Sequence, residues 1–182
     1  MIYMVELNFS DPAREDEWNA WYETYLTQLV SLPGLSTAQR FRAVTPGAQP
    51  WDYLALYSLA SLDVFESEAY RQMGGGGNAS ARFKDAIRRR RNVYMGIERV
   101  PAVSGSGRIV LCEDAPNGLD LDDCLFVPLE AAVGRRQAGA TELDGEPSRR
   151  AMGIIDAETA KLHRLRATEG LVVYAPITKR YV

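Results

Sequence analysis

Apolar and polar positions alternate over the first nine residues of the chain. One side of this segment is strongly apolar and the other is mixed: the first consists of Tyr3, Val5, Leu7 and Phe9, and the second of Ile2, Met4, Glu6 and Asn8. A period of two is typical of a β-strand, whose side chains point alternately to opposite faces of a sheet. The pattern therefore predicts a strand over residues 1–9 with a helix packed on its apolar side.

The spacing then becomes helical. Asp11 is suited to cap a helix, Pro12 fits the first helical position, and Pro33 with Gly34 ends the helix. Apolar side chains recur three or four residues apart and form one stripe, which consists of Trp18, Trp21, Tyr22, Tyr25, Leu29 and Leu32. We expect this stripe to pack on the first strand.

The following segments complete a folding unit. Residues 36–43 and 52–59 alternate in polarity and flank a turn rich in proline and glycine, so they predict an antiparallel hairpin. The elements expected next are a helix near 62–73, a break at the glycine run 74–77, a helical stretch over about 78–90 and a strand at 92–99. This β-α-β-β-α-β order is that of a ferredoxin-like fold.

The second part of the chain echoes the first in the same order. Residues 108–114 match 1–9, residues 133–156 match the hairpin of 35–59, and residues 171–182 match 92–100. Because each repeat must bury its apolar face against a neighbour, the echo predicts one fold used twice. We expect an α+β protein with a first ferredoxin-like repeat at 1–102, a linker at 103–107, and a second repeat at 108–182 whose first helix is reduced.

Composition and charge exclude several classes of protein. With 46% hydrophobic and 25% charged residues and a net charge of -3, the 182-residue chain is expected to be soluble and to have no general attraction to nucleic acid or anionic membranes. It has no basic leader and no run of 18 apolar residues, so a cytoplasmic location is expected. Cys112 and Cys124 are too few for a disulfide framework or a zinc cluster, and free, packed thiols are expected.

A resemblance to a known family appears in the helix and the strand that follows it. The segment WNAWYETYLTQLVSLPGLSTAQRF, residues 18–41, resembles the helix-to-strand signature of the dimeric α/β-barrel superfamily, particularly its EthD-like and stress-responsive groups. Relatives commonly have W-x-x-W-Y-[DE]-x-x-H-[LI]-P, followed by P-G and a strand with an R-[RF] pair. The resemblance covers residues 1–100, and the second half is connected to it only by the internal repeat.

The resemblance implies a barrel of two ferredoxin-like antiparallel sheets with the helices outside. The sheets pair across a homodimer or, in tandem-repeat members, within one chain, and we favour the intrachain barrel here, without excluding a homodimer as well. It also implies a ligand pocket between the sheet and its first helix. The group contains cofactor-free isomerases and cyclases, monooxygenases and haem enzymes, so the fold does not specify the reaction.

One departure from the family signature affects the expected chemistry. The segment has neither the helix histidine nor the proline of the signature; Tyr25 and Thr27, each one residue before the aligned position, are taken as their replacements. A phenol with an ordinary pKa of about 10 is a weak base at neutral pH but a good hydrogen-bond donor to an oxyanion or enolate. Tyr25 is therefore predicted to stabilise charge, although an aromatic stripe on a helix is more often core packing.

Other residues are candidates for the same site. Tyr22, Trp21 and Tyr57 are candidate ligand-binding residues, and Arg40, which shares a strand face with Arg42, is a candidate anion clamp. Glu6 and Asn8 are candidate proton or polar partners, and Glu6 has the alternative of an ion pair with Arg40.

Three further features are expected to be structural. The arginine run 88–91, read as helical, is expected to be solvated or to form salt bridges, with binding of an anionic ligand as the minor alternative. The glycine run 74–77 lacks the pattern of a phosphate loop and is expected to be a flexible connector, or a hinge for a lid. His163 is expected on a solvated surface; its alternative role is a haem ligand.

The sequence leaves three functional hypotheses. The leading one is a small cofactor-independent enzyme for an apolar or aromatic, carbonyl-bearing metabolite, with no metal and no nucleic-acid or membrane partner. In the second, the barrel binds a small molecule, or serves a structural role, without catalysis. The third is a haem-binding barrel.

Overall fold

The computed structural model describes residues 1–113, 126–157 and 170–182. The helices are α1 (Glu15–Leu29) and α2 (Glu68–Gln72), with 3-10 turns at Pro12–Arg14, Leu62–Glu66 and Gly75–Phe83. The strands of the first half are β1 (Ile2–Phe9), β2 (Leu35–Ala43), β3 (Tyr53–Leu59) and β4 (Ile87–Met95). Those of the second half are β5 (Gly107–Cys112), β6 (Val127–Ala131), β7 (Arg136–Ala138), β8 (Thr141–Leu143), β9 (Arg149–Asp156) and β10 (Leu171–Pro176).

Eight strands of the described chain close into one antiparallel barrel. Their order is β1-β3-β2-β10-β5-β9-β6-β4, and β7 and β8 form a separate two-stranded sheet. The first half contributes β4-β1-β3-β2 and the second half β10-β5-β9-β6, and the halves meet where β2 pairs with β10 and β4 with β6. The prediction of an α+β fold with antiparallel sheets pairing into a barrel is confirmed.

Alternation along β1 separates two apolar layers. Tyr3, Val5 and Leu7 lie in a cluster with Trp18 and Leu26 of α1, so this layer fills the space between the helix and the sheet. Side chains from the opposite face of the sheet form the second cluster, which includes Ile2, Met4, Phe41, Leu54, Leu56, Tyr94 and Tyr174. The first layer positions the candidate site.

The fourth strand begins earlier than the sequence predicts. Residues 87–91 belong to β4, whereas the sequence favoured a helix to about residue 90. β4 pairs with β1 from Ile2 opposite Tyr94 to Phe9 opposite Ile87. This full-length pairing supplies the backbone hydrogen bonds and overrides the local preference of the arginine run.

The second half also differs from its prediction. Its second barrel strand is β6, which begins at Val127, whereas a hairpin was expected over 133–156. Residues 136–143 instead form the β7–β8 hairpin, and β9 begins at Arg149. The predicted shortening of the first helix concerns residues 114–125, which lie outside the described part.

The ends of α1 are close to their prediction. The Asp11 carboxylate accepts a hydrogen bond from the Ala13 backbone N–H at 3.1 Å and caps the 3-10 turn that leads into the helix. Among the described residues no helix is long and apolar enough to cross a membrane.

Candidate functional site

A small cavity lies between α1 and the first-half sheet. It encloses about 40 Å³, which is room for a few water molecules at about 10–15 Å³ each. Five tyrosines line it, together with aliphatic residues and two arginines: Tyr3, Tyr22, Tyr25, Tyr57, Tyr70, Arg89 and Arg91. Trp21 and Ser80 also contribute to the wall. A ligand with an aromatic ring requires part of the wall to move.

The phenols in this cavity are hydrogen-bond donors at neutral pH. The hydroxyls of Tyr22 and Tyr57 lie 3.1 Å apart in a buried hydrogen bond, so one donates to the other. Burial raises the pKa of Tyr22, Tyr25 and Tyr57, because it disfavours the charged phenolate. These groups therefore remain protonated.

Two arginines give the cavity its positive charge. Arg91 lies opposite Val5 and Arg89 opposite Leu7 in the β1–β4 register, so both side chains share the helix-facing side of the sheet. Burial lowers the pKa of Arg89, and the neighbouring charge of Arg91 lowers it further. Among the described residues neither guanidinium has an ion pair within 4.0 Å, and no carboxylate or histidine lines the cavity.

One arginine side chain donates a hydrogen bond to the glycine segment, residues 74–77, and the other lies near the 3-10 turn that continues it. Arg91 Nη2 donates to the Gly76 carbonyl at 2.8 Å, and Arg89 Nη1 lies 3.4 Å from Ser80 Oγ. On their other side the two arginines line a polar recess of about 320 Å³. The two arginines therefore lie between the aromatic cavity and this recess, and the glycine segment lies beside both of them.

The glycine segment is held by the β7–β8 hairpin. The Gly76 N–H donates to the Tyr70 hydroxyl at 3.3 Å, and that hydroxyl lies 2.9 Å from Thr141 Oγ1. A Cβ on Gly76 would lie 1.5 Å from the Ala140 carbonyl oxygen, and Gly76 has φ +71°. Only glycine can pass this close to the hairpin backbone.

Arg40 lies beside the cavity without lining it. Its guanidinium carbon is 4.0 Å from the centroid of the Tyr22 ring and 4.5 Å from that of Trp18. Its side chain packs on these rings of α1, and it lines a separate recess of about 330 Å³ together with Glu23. Arg42 lines the same recess, is exposed and pairs with Glu15 at 3.1 Å.

The structure does not bring Glu6 and Asn8 into the cavity. Glu6 lies on the opposite face of β1, where its carboxylate binds Arg90 at 2.6 Å and Arg150 at 2.9 Å. Arg40 is not its partner. Asn8 accepts from the Asp52 backbone N–H and donates to the Pro50 carbonyl, each at 2.7 Å, and so holds the β2–β3 loop.

Of the predicted site residues, the cavity contains Tyr22, Tyr25, Trp21 and Tyr57. Sequence reasoning did not place Arg89 and Arg91 in this site, although it kept an anionic ligand as a minor alternative for their run, and it missed Tyr3 and Tyr70. A signal for the arginines existed, because an earlier start for the last first-half strand would have placed every second arginine on the Tyr3 side.

The residues present do not resemble a haem or metal site. The cavity lining contains no histidine, cysteine or methionine among the described residues, and about 40 Å³ is far too little for a macrocycle. In the described part no group of histidine, cysteine and acidic side chains could hold a metal ion. His163 and Cys124 lie outside the described residues, and Cys112 is buried in β5.

Comparisons with known proteins give the class of fold. A candidate chlorite dismutase aligns with 97% of this chain and 95% of its own, with 12% identity and a TM-score of 0.54. An anthrone oxidase-like protein aligns with 99% and 92%, with 12% identity and a TM-score of 0.51. A candidate monooxygenase of Fusobacterium nucleatum is more distant, with 7% identity, coverage of 97% and 92%, and a TM-score of 0.48.

These similarities establish the fold and nothing finer. The chain shares its closed α+β barrel fold with the first two of these proteins. No protein-family model matches the sequence. No curated protein matches it either.

Proposed function

We propose that the protein binds a small aromatic ligand in its anionic form, between α1 and the first-half sheet. The observation that carries this proposal is the pair Arg89 and Arg91, which face an aromatic cavity with no carboxylate in its described lining. The recess on their other side contains Glu142 and Asp144, but in the described chain no ion pair within 4.0 Å joins these carboxylates to either arginine. An anion bound in the cavity would therefore offset the repulsion between the two like charges. A carboxylate, phenolate or enolate would accept charge-assisted hydrogen bonds from both.

The wall of the cavity fits the rest of such a ligand. Tyr25 and Trp21 stack with ring centroids 5.2 Å apart and offer an aromatic surface. The Tyr22–Tyr57 pair offers a neutral donor. Binding would break the bond from Arg91 to the Gly76 carbonyl and release that guanidinium to the ligand, so the glycine segment acts as the cover of the site.

The experiment compares benzoate with benzamide, which have nearly the same shape but differ in charge. Isothermal titration should give the anion about tenfold higher affinity, because a charge-assisted hydrogen bond is roughly twice as strong as a neutral one. Arg89→Met should remove most of this preference. Arg88→Met is the matched control, because Arg88 is the exposed neighbour on the opposite face of β4 and stacks on Trp51. Equal affinity for both probes in the unmodified protein would refute the proposal.

An enzyme acting on the same kind of ligand is the second candidate. The Tyr22–Tyr57 pair and the arginines would stabilise the enolate of an aromatic carbonyl compound without a cofactor. Because no base lines the described cavity, the ligand's own acidity or a water molecule would have to support proton removal. Accelerated deuterium uptake by phenylpyruvate in heavy water, lost in Tyr57→Phe, would support catalysis. No acceleration would favour the noncatalytic binding protein.

We also propose that the chain consists of two ferredoxin-like repeats that form one intrachain barrel. The strand orders β4-β1-β3-β2 and β10-β5-β9-β6 support a tandem ferredoxin-like repeat with a linker near 103–107, because each places its unit's strands in the same relative order. Closure of the barrel by strands of one chain supports an intrachain pseudo-dimer. An EthD-like relationship, an additional homodimer and a cytoplasmic location stay predictions.

A further inference from the structure

We propose that Arg40 is a positioning residue that acts through Tyr22 and strengthens hydrogen-bond donation from the Tyr22–Tyr57 pair to the bound anion. The proposal rests on the anion site described above. It assigns Arg40 a role different from the direct clamp that the sequence predicts.

Within the described chain Arg40 has a buried charge without an ion-pair partner, although Glu23 lines the recess beside it and acts on this charge from a distance. The residue is 1% exposed, and within the described residues its Nε and Nη2 have no hydrogen-bond partner. No carboxylate lies within 4.0 Å of its guanidinium in the same part of the chain. A buried cation is costly unless something compensates it.

Aromatic rings supply the compensation. The guanidinium carbon lies 4.0 Å from the Tyr22 centroid, 4.5 Å from Trp18 and 5.3 Å from Tyr53. A cation over a ring face is attracted by the π electrons, and the attraction grows when both are removed from water. The contact with Tyr22 is the shortest of the three, and Tyr22 also lines the ligand cavity.

The phenol pair has one hydroxyl proton that its own hydrogen bond does not use. Tyr22 and Tyr57 have two hydroxyl protons, and their mutual hydrogen bond uses one of them. The other is available to a ligand. A cation over the Tyr22 ring withdraws negative charge from the phenol and favours donation, and the positive charge of Arg40 offsets part of the rise that burial causes in the pKa of Tyr22.

The charged groups that line the cavity around the phenol pair are positive in the described part of the chain. Cationic and aromatic groups of the described chain line the Tyr22 cavity or act directly on Tyr22: Trp18, Trp21 and Tyr25 of α1, Tyr3 of β1, Arg40 of β2, Tyr57 of β3, Tyr70 of α2, and Arg89 and Arg91 of β4. No acidic side chain lines this cavity in the described part of the chain. Negative charge that spreads from a ligand onto the phenol pair is therefore stabilised from two sides.

The experiment uses 4-nitrophenol, which ionises near neutral pH and whose anion is coloured. Affinities for the phenol and the phenolate follow from absorbance titrations across pH. The unmodified protein should favour the phenolate. Arg40→Met should lower the ratio of phenolate to phenol affinity about three- to thirtyfold, the range that cation–π contacts span from exposed to desolvated sites. Arg40→Lys should retain most of the ratio, because it keeps the charge.

A double-mutant cycle tests whether Arg40 acts through the hydroxyl of Tyr22. In a Tyr22→Phe background, Arg40→Met should cause no further loss of the ratio. If Arg40→Met weakens both forms of the probe equally, its role is packing alone and the proposal is wrong. If Arg40→Met does not fold by circular dichroism, Tyr22→Phe alone decides, because an unchanged ratio in that variant overturns the proposal.

The outcomes separate this proposal from the anion site itself. If the unmodified protein has no preference for phenolate over phenol, the anion site is wrong. If the preference is lost in Arg89→Met and retained in Arg40→Met, the anion site stands and only the role of Arg40 is refuted.

Discussion

At the scale of single residues, Glu6 is a buried carboxylate that pairs with two arginines. Its side chain is 2% exposed and contacts Arg150, which is 4% exposed, and the half-buried Arg90. The β1–β4 register explains one contact directly, because Glu6 lies opposite Arg90. The carboxylate thus joins three strands of the barrel rather than serving the cavity, and its removal would leave the buried charge of Arg150 and the half-buried charge of Arg90 without this partner.

We predict that Glu6→Gln lowers the free energy of unfolding by about 3 kcal/mol or more, since breaking a buried ion pair typically costs about 3–5 kcal/mol. Urea denaturation measures the change. Glu17→Gln is the matched control, because Glu17 pairs with Arg82 at 3.2 Å while its side chain is 54% exposed. A surface pair should contribute less than about 1 kcal/mol. Equal losses in the two variants would contradict the buried ion pair.

Residue chemistry was predicted better than residue neighbours. The sequence placed Tyr22, Tyr25 and Trp21 on one helical stripe, and all three line the cavity. Helical spacing fixes which side chains share a face, so local pattern was sufficient. Alternation also placed Glu6 away from the apolar side of β1, but the partner on each face depends on strands that are distant in sequence.

At the scale of elements, β4 shows how tertiary pairing overrides a local pattern. Four consecutive arginines carry no apolar alternation, and a helix was the expected structure. Pairing with β1 makes them a strand, and alternate arginines then lie on opposite faces: Arg90 binds Glu6, whereas Arg91 reaches the glycine segment. Because the run is a strand rather than a solvated helix, Arg89 and Arg91 lie at the cavity and supply its positive charge.

The close contact of the glycine segment with the β7–β8 hairpin gives a prediction about both elements. Gly76→Ala should lower the melting temperature and increase proteolysis near residues 74–77, because the added Cβ overlaps the Ala140 carbonyl and the backbone has φ +71°. A loss of about 1–3 kcal/mol is expected for such strain.

Gly105→Ala is the control for that change. A Cβ at Gly105 meets nothing within 4 Å, and its φ is ordinary. Its melting temperature and protease sensitivity should therefore match those of the unmodified protein. Unchanged behaviour of Gly76→Ala would show that the segment does not pack on the hairpin as described.

At the scale of the whole molecule, the two halves are connected by more than the barrel seams. At one seam Phe41 of β2 lies opposite Pro176 of β10, and at the other Tyr94 of β4 lies opposite Ala131 of β6. The β7–β8 hairpin of the second half also crosses to the helix side of the first, where the Ala140 N–H donates to the Phe65 carbonyl at 3.3 Å. The second half thus supports the elements around the cavity, whose described lining comes from the first half.

We predict that both halves unfold together. The chain has three tryptophans, and Trp18, Trp21 and Trp51 all belong to the first half. Tryptophan fluorescence therefore reports on the first half, whereas far-UV circular dichroism reports on both. The two signals should have the same urea midpoint, because separation would expose unpaired strand edges and core surface. Two distinct midpoints would show that the halves fold independently.

The sequence by itself determined the local structure and the chemical character of the protein. Periods of two and 3.6 set β1, α1, β2 and β3 to within a few residues of their observed bounds, because these patterns depend only on neighbours in the chain. The same patterns placed an aromatic stripe under the first sheet. Only the tertiary structure decided which charges meet it, because strand register and the crossing hairpin bring Arg89, Arg91 and Gly76 together from separate segments, and no local pattern encodes that contact.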